Sequence, residues 1–160
     1  MKTNPRPIDP SLDGKRFINI YTKGATRLGR LLTNLSDVPV WHPVHGRFRT
    51  AEGLWYYLKT GCQFEELRSM SGFEAKNFGR EKEVVWYADF QEDFKEAVRW
   101  KIRNHDELKM LFIESMLPFE HYYVYESRKP GVPPKVIEPS DVKWLTEYLE
   151  ELRQIMRAEI

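Results

Sequence analysis

The chain has 160 residues, 41% apolar and 14% aromatic, enough for one buried core and too few for a second catalytic domain. Its 25 Lys and Arg against 24 Asp and Glu leave a formal charge of +1. That balance excludes a general nucleic-acid coat but not a local basic pocket for one phosphate. No apolar run approaches the roughly 18 to 20 residues of a membrane span, and the N-terminus has no apolar leader. Cys62 is the single cysteine, so no internal disulfide forms. The expectation is a soluble, cytoplasmic domain with no membrane partner.

Residues 1–16 hold three prolines and little to bury, and read as an N-terminal tail before a single domain over 17–160. Residues 17–22 alternate and are β-prone, predicting a strand. A glycine-containing loop follows from Lys23 to Arg30. Residues 38–49 read as a short hairpin turning at His45 and Gly46, its prolines suiting an edge. From Thr50 the period changes, with Thr50 an N-cap and Gly61 a C-terminal residue of a helix. A short helix ends near Gly79. Asp89 to Glu92 has the capping-box pattern opening a helix to about Arg103, and Asn104 or His105 starts another through Ser115. Residues 119–126 are aromatic and alternating, predicting one strand, and the proline-rich stretch 128–139 an extended connection. Ser140 is the expected cap of a last helix carrying Val142, Leu145, Leu149, Leu152 and Met156 on one face. There is no internal repeat. The fold class is α+β, a helix-rich compact single domain with one small sheet.

Gly24 to Arg30 has the glycine spacing of a phosphate loop but lacks its Lys-Ser/Thr pair, so the nucleoside-triphosphate reading fails. His42 and His45 have no carboxylate partner near them in sequence and read as surface turn residues, with no metal implied. Cys62 reads as a small, partly buried side chain. In the helix from residue 50, spacings of three, four and seven put Glu52, Trp55 or Tyr56, and Lys59 on one side. That side offers an acid, an aromatic wall and a cation. An ordinary solvated face has the same pattern, and spacing alone favours it.

The collinear string INIY, TNLS, HGRFRTAEGLWYYLK, AKNFGR, Trp86, KEAVRWKIRNHDELKMLF and LEELR resembles the NADAR/YbiA-like superfamily from about residue 17 to 158. The resemblance implies a YbiA-like fold and N-glycosidase chemistry, in which water cleaves the bond between a ribose carbon and a base nitrogen. It implies a small-molecule ribosylated base or ADP-ribosylated nucleic acid as partner, with ADP-ribosyl-guanine among the candidates, and no cofactor. It assigns Glu52 as the catalytic carboxylate and Trp86 as the aromatic wall. Lys59 is assigned to phosphate or ribose contact, with a Schiff-base role as a lesser alternative. Tyr21 and Asn34 match the strand and SNF-type motifs and imply ribose or base contacts. Arg80 is the expected phosphate ligand and Lys23 a further basic candidate. The chain departs from the family pattern at Gly53, where the family has His, at Tyr56, where it has Gln, and in lacking the late Trp-Gly pair. A binding module that holds such a ligand without turnover therefore stands as one alternative. An interaction domain using Tyr122, Tyr123, Tyr125, Trp144 and Tyr148 as its surface is the other.

Overall fold

The computed structural model describes residues 7–139 and 141–160. In chain order the elements are β1 (Ile18–Asn19), α1 (Arg27–Leu32), β2 (Val40–His42), β3 (Gly46–Phe48), α2 (Ala51–Lys59), α3 (Gly72–Gly79), α4 (Phe90–Arg103), α5 (Asp106–Glu114), β4 (Phe119–Glu120), β5 (Tyr123–Tyr125), β6 (Lys135–Ile137) and α6 (Lys143–Ala158). Short 3-10 turns occupy Pro10–Leu12 and Glu65–Arg68. No helix among the described residues is long and apolar enough to cross a membrane.

Helix starts follow local chemistry. Thr50 is extended and its hydroxyl accepts from the Gly53 amide, opening α2 as its sequence predicts. Ser71 and Glu74 form a full capping box on α3. Two predicted caps differ. Asp89 makes no side-chain bond to α4, because its ψ of 18° is not the extended conformation that aims an N-cap oxygen at the following amides. The last helix begins at Lys143 with Val142 as its N-cap residue, and Ser140 lies outside the described residues.

The predicted single sheet is instead three two-stranded pairs: β1 with β4 in parallel, and β2 with β3 and β5 with β6 antiparallel. The aromatic segment 119–126 divides between two of them. At the division the buried Asn19 side chain receives the Tyr122 amide at 3.0 Å and donates to the Tyr122 carbonyl at 3.1 Å. It thereby continues the β1–β4 pairing beyond the backbone ladder. The proline-rich connection contributes β6 to the third pair. From residue 7 the stretch expected as a tail carries the Pro10–Leu12 turn. Asp13 there accepts the amides of Asn19 and Ala25 at 2.9 and 2.8 Å. Residues 1–6 lie outside the described residues.

The core joins the apolar faces of α2, α4, α5 and α6 to the hairpin, with Leu54, Leu58, Phe94, Ile102, Phe112, Val40 and Phe48 all fully buried. Trp55 packs edge-on against Phe90 and Phe94 and lies parallel to Trp144. This packing removes the proposed aromatic docking surface: Tyr122 is buried, Trp144 is turned against Trp55, and of the five residues only Tyr125 is exposed.

Lys101 of α4 is also buried, its ammonium donating to the Thr33 carbonyl at 2.9 Å and to Ser36 Oγ at 3.0 Å. Burial pushes its pKa from the usual 10.5 down to about 7. Between those values the unfolded chain binds a proton that the folded chain has released. Folding stability contributed by this group therefore rises with pH across the window. Lys101→Met lacks this titration, so its melting temperature relative to wild type is expected to fall as pH rises from 7 to 10. Thermal melts at three pH values check the trend.

Candidate functional site

A cleft of about 390 Å³ opens where α2, α3 and the start of α6 meet the segments following β1, α1 and β4. Leu32, Leu35, Trp55, Leu145 and Leu149 give it an apolar lining, and Tyr21, Tyr56, Tyr123 and Tyr125 an aromatic, hydroxylated one. Its charged groups are Glu52, Asp141, Lys23, Lys59 and Lys76.

Glu52 stands in the first turn of α2, where its backbone amide donates to the Asn34 carbonyl at 2.8 Å. That bond ties the carboxylate-bearing turn to the loop after α1, the same loop that Lys101 holds from behind. Among the described residues the Glu52 side chain has no hydrogen-bond partner. Burial pushes its pKa from the usual 4.5 up to about 7, against the opposing pull of Lys76 and then Lys59. The hydroxyls of Tyr56 and Tyr123 are raised chiefly by burial and next by the Glu52 charge, which places both close to it. Lys59 Nζ lies 5.9 Å from the Tyr56 ring centre and Lys76 Nζ 5.9 Å from that of Tyr123. Lys59 reaches back along the helix toward Glu52 because helical side chains tilt toward the N-terminus.

The elevated pKa has a consequence for stability. Between pH 4.5 and 7 the folded chain holds a proton on Glu52 that the unfolded chain has lost, so the group's contribution falls as pH rises through that window. Glu52→Gln is expected to stabilise the fold at pH 8, by at most about 3 kcal/mol, with the gain shrinking toward pH 4.5. Melting curves of the two proteins at both pH values test it.

Five of the residues singled out from sequence, Glu52, Lys59, Tyr21, Asn34 and Lys23, line this one cleft. Trp86 and Arg80 do not. Trp86 is 84% exposed, and its neighbour Val85 is tied by its amide to the Lys59 carbonyl, at the end of α2 opposite Glu52. The aromatic lining from α2 comes from Trp55 and Tyr56, the two alternatives that the helical spacing offers. Arg80 is the exposed C-cap of α3. The tight feature of that motif is Gly79, where an added Cβ would collide with the Tyr56 side chain. Gly53 is likewise a packing position: a Cβ there would lie 2.6 Å from the Leu67 carbonyl oxygen, on the side of α2 away from the cleft. Sequence reasoning missed Lys76, His121 and Asp141 and assigned Tyr123 to an interaction surface; all four reach the cleft from elements distant in the chain.

The basic glycine loop is not a phosphate cradle. Its Gly24, Ala25 and Gly29 amides are taken by the Tyr21 carbonyl, Asp13 and Thr26, and Arg30 bonds back to the Gly24 carbonyl. Cys62 is partly buried and its thiol pKa is raised by burial, which disfavours the thiolate.

His42 and His45 are buried, not at the surface as expected. They meet Asp93 and Glu96 of α4: His42 Nε2 lies 3.4 and 3.1 Å from the two carboxylates, and His45 Nε2 lies 2.8 Å from Asp93. Tyr87 donates to Asp93 as well. His42, Asp93 and Glu96 are close enough together to suggest a cation site. The imidazole argues otherwise. His42 Nδ1 accepts the amides of Val44 and His45, so Nε2 carries the proton and has no lone pair to offer a metal; it lies near the two carboxylates without forming a hydrogen bond to either. The group clamps the hairpin onto α4.

No protein-family model matches the chain, and no curated protein matches it. Among solved structures, the NMR structure of the E. coli protein YbiA matches with a TM-score of 0.62 at 21% identity, covering 90% of this chain and 86% of YbiA. The two share a fold. That likeness agrees with the α+β, YbiA-like architecture that the motif order implies.

Proposed function

We propose that the chain is an N-glycosidase that hydrolyses the bond between ribose C1′ and a base nitrogen, with Glu52 as its catalytic carboxylate. The observation that carries this reading is Glu52 itself: a desolvated, unpartnered acid with a pKa of about 7, facing two lysines in a cleft walled by aromatic rings. The fold shared with YbiA and the collinear motifs support it.

Cleavage of the C1′–N bond sends its electron pair to the base nitrogen and leaves positive charge on the ribose ring. A carboxylate beside that ring stabilises the charge and takes a proton from the water whose oxygen bonds to C1′, and that proton then passes to the base nitrogen, giving the free base and restoring the carboxylate. A base that titrates near neutrality is matched to this task. Lys59, Lys76 and Lys23 supply the positive charge that a ribose phosphate needs, and Tyr21, Tyr56 and Tyr123 offer faces for stacking and hydroxyls for ribose. The chemistry calls for charge stabilisation and water, and no cofactor enters it.

Glu52 must be ionised to act, so kcat/KM for base release is expected to rise with pH and level off above about 7. A pH profile on ribosylated-base substrates, including ADP-ribosylated guanosine, tests this. An activity that is flat from pH 5 to 8 would remove Glu52 from the mechanism.

The exposed position of Trp86 favours one second reading, a cleft that binds the same ligands without cleaving them. Ligand recovered intact after prolonged incubation would establish it.

A further inference from the structure

His121, between β4 and β5, lines the cleft and also a neighbouring groove of about 650 Å³, the two concavities sharing His121, Pro139, Val142 and Thr146 as a common wall. The ring's Nδ1 lies 2.7 Å from the Ile20 carbonyl oxygen. A carbonyl only accepts, so Nδ1 carries the proton, and Nε2 presents a lone pair. Among the described residues Nε2 has no partner. The Tyr123 ring, edge-on at 5.4 Å, fixes the imidazole from the side. Burial lowers the His121 pKa, against the raising effect of the Ile20 hydrogen bond, which favours the neutral ring.

We propose that His121 is a specificity-determining residue, its Nε2 accepting a hydrogen bond from an N–H donor on the leaving base. This rests on the N-glycosidase reading and adds a recognition element to it. The charges give the substrate a direction. The groove beyond His121 is lined by Glu120, Glu138, Glu147 and Glu150 against Lys143, and repels a phosphate. In the cleft Lys23, Lys59 and Lys76 outnumber Glu52 and Asp141 and attract one. The phosphorylated ribose therefore lies in the cleft and the base at the His121 wall. An acceptor there has no use for a carbonyl or a bare ring nitrogen. It selects an amine or ring N–H, because a base lacking one leaves Nε2 desolvated and unpaired.

The test uses calorimetric binding to Glu52→Gln protein, in which turnover is slowed. The probes are adenosine and guanosine 5′-monophosphates, and purine-riboside 5′-monophosphate, whose base has no N–H. With His121 present, at least one of the first two is expected to bind about tenfold tighter than the third. His121→Phe, which keeps a ring against Tyr123, is expected to shrink that ratio below about twofold, and His121→Gln, which retains an acceptor, to restore part of it. Equal affinities with His121 present, or a ratio that persists in His121→Phe, would overturn the proposal and leave the N-glycosidase reading standing. Failure of all three nucleotides to bind would overturn the proposal, and absence of base release across the ribosylated panel would overturn the N-glycosidase reading separately. Should His121→Phe fail to fold in a melt, the ratio with His121 present and its change in His121→Gln decide the matter.

Discussion

Glu52→Gln is expected to lower base release by about 10²–10⁴-fold while leaving ligand affinity within a few-fold. The substitution keeps the side chain's size and its place in α2 but removes the negative charge and the ability to take a proton from water. Charge develops on the ribose only as the C1′–N bond breaks, so the loss falls on kcat more than on KM. The same change should also abolish the acid limb near pH 7, since the group whose ionisation sets it is gone. It should stabilise the protein at pH 8. An inactive variant that is more stable than wild type would separate a catalytic role from a structural one. Steady-state kinetics and melts on one preparation provide both readings.

Gly79→Ala is expected to cost about 2–4 kcal/mol, a large effect for one methyl group. In most helices the change from Gly to Ala stabilises by up to about 1 kcal/mol. Here the new Cβ would lie 2.2 Å from Tyr56 Cγ, 2.3 Å from Cδ1 and 2.6 Å from Cβ. Those atoms are the fixed root of the tyrosine, not its mobile end, so α3 must move away from α2. The clash exceeds the propensity gain, and it displaces Tyr56 within the cleft. Arg80→Ala, one residue on at an exposed cap, should change stability by less than about 0.5 kcal/mol. Urea denaturation of the three proteins checks the contrast, and an unshifted midpoint for Gly79→Ala would refute the close crossing.

What the sequence made legible was what local periodicity and capping control. Thr50 and the residues after it specify a helix, and its 3-4-7 spacing gathers Glu52, Trp55, Tyr56 and Lys59, all of which line the cleft. What it left hidden was set by long-range pairing. His45 and Asp93 are 48 residues apart and meet only because the hairpin packs on α4, so two buried histidines read as surface ones. Lys76 reaches the cleft because Gly79 lets α3 cross α2 closely, which no spacing within α3 reveals. Trp86 matched a motif by order alone, and the Val85–Lys59 backbone bond carries it to the other end of α2. The aromatic segment after Phe119 reads as one strand. Asn19 pairs with Tyr122 at its middle, and the chain turns there into a different ribbon, which brings His121 and Tyr123 to the cleft.

The most direct test of the central claim is to incubate the wild-type protein with ADP-ribosylated guanosine and a panel of ribosylated bases, and to quantify products by chromatography with mass detection. The account predicts free base and free ribosyl product in equal amounts from at least one member, formed about 10²–10⁴-fold more slowly by Glu52→Gln. Intact ligand bound and recovered unchanged across the whole panel would contradict it, and would make the cleft a binding site in which Glu52 performs no chemistry.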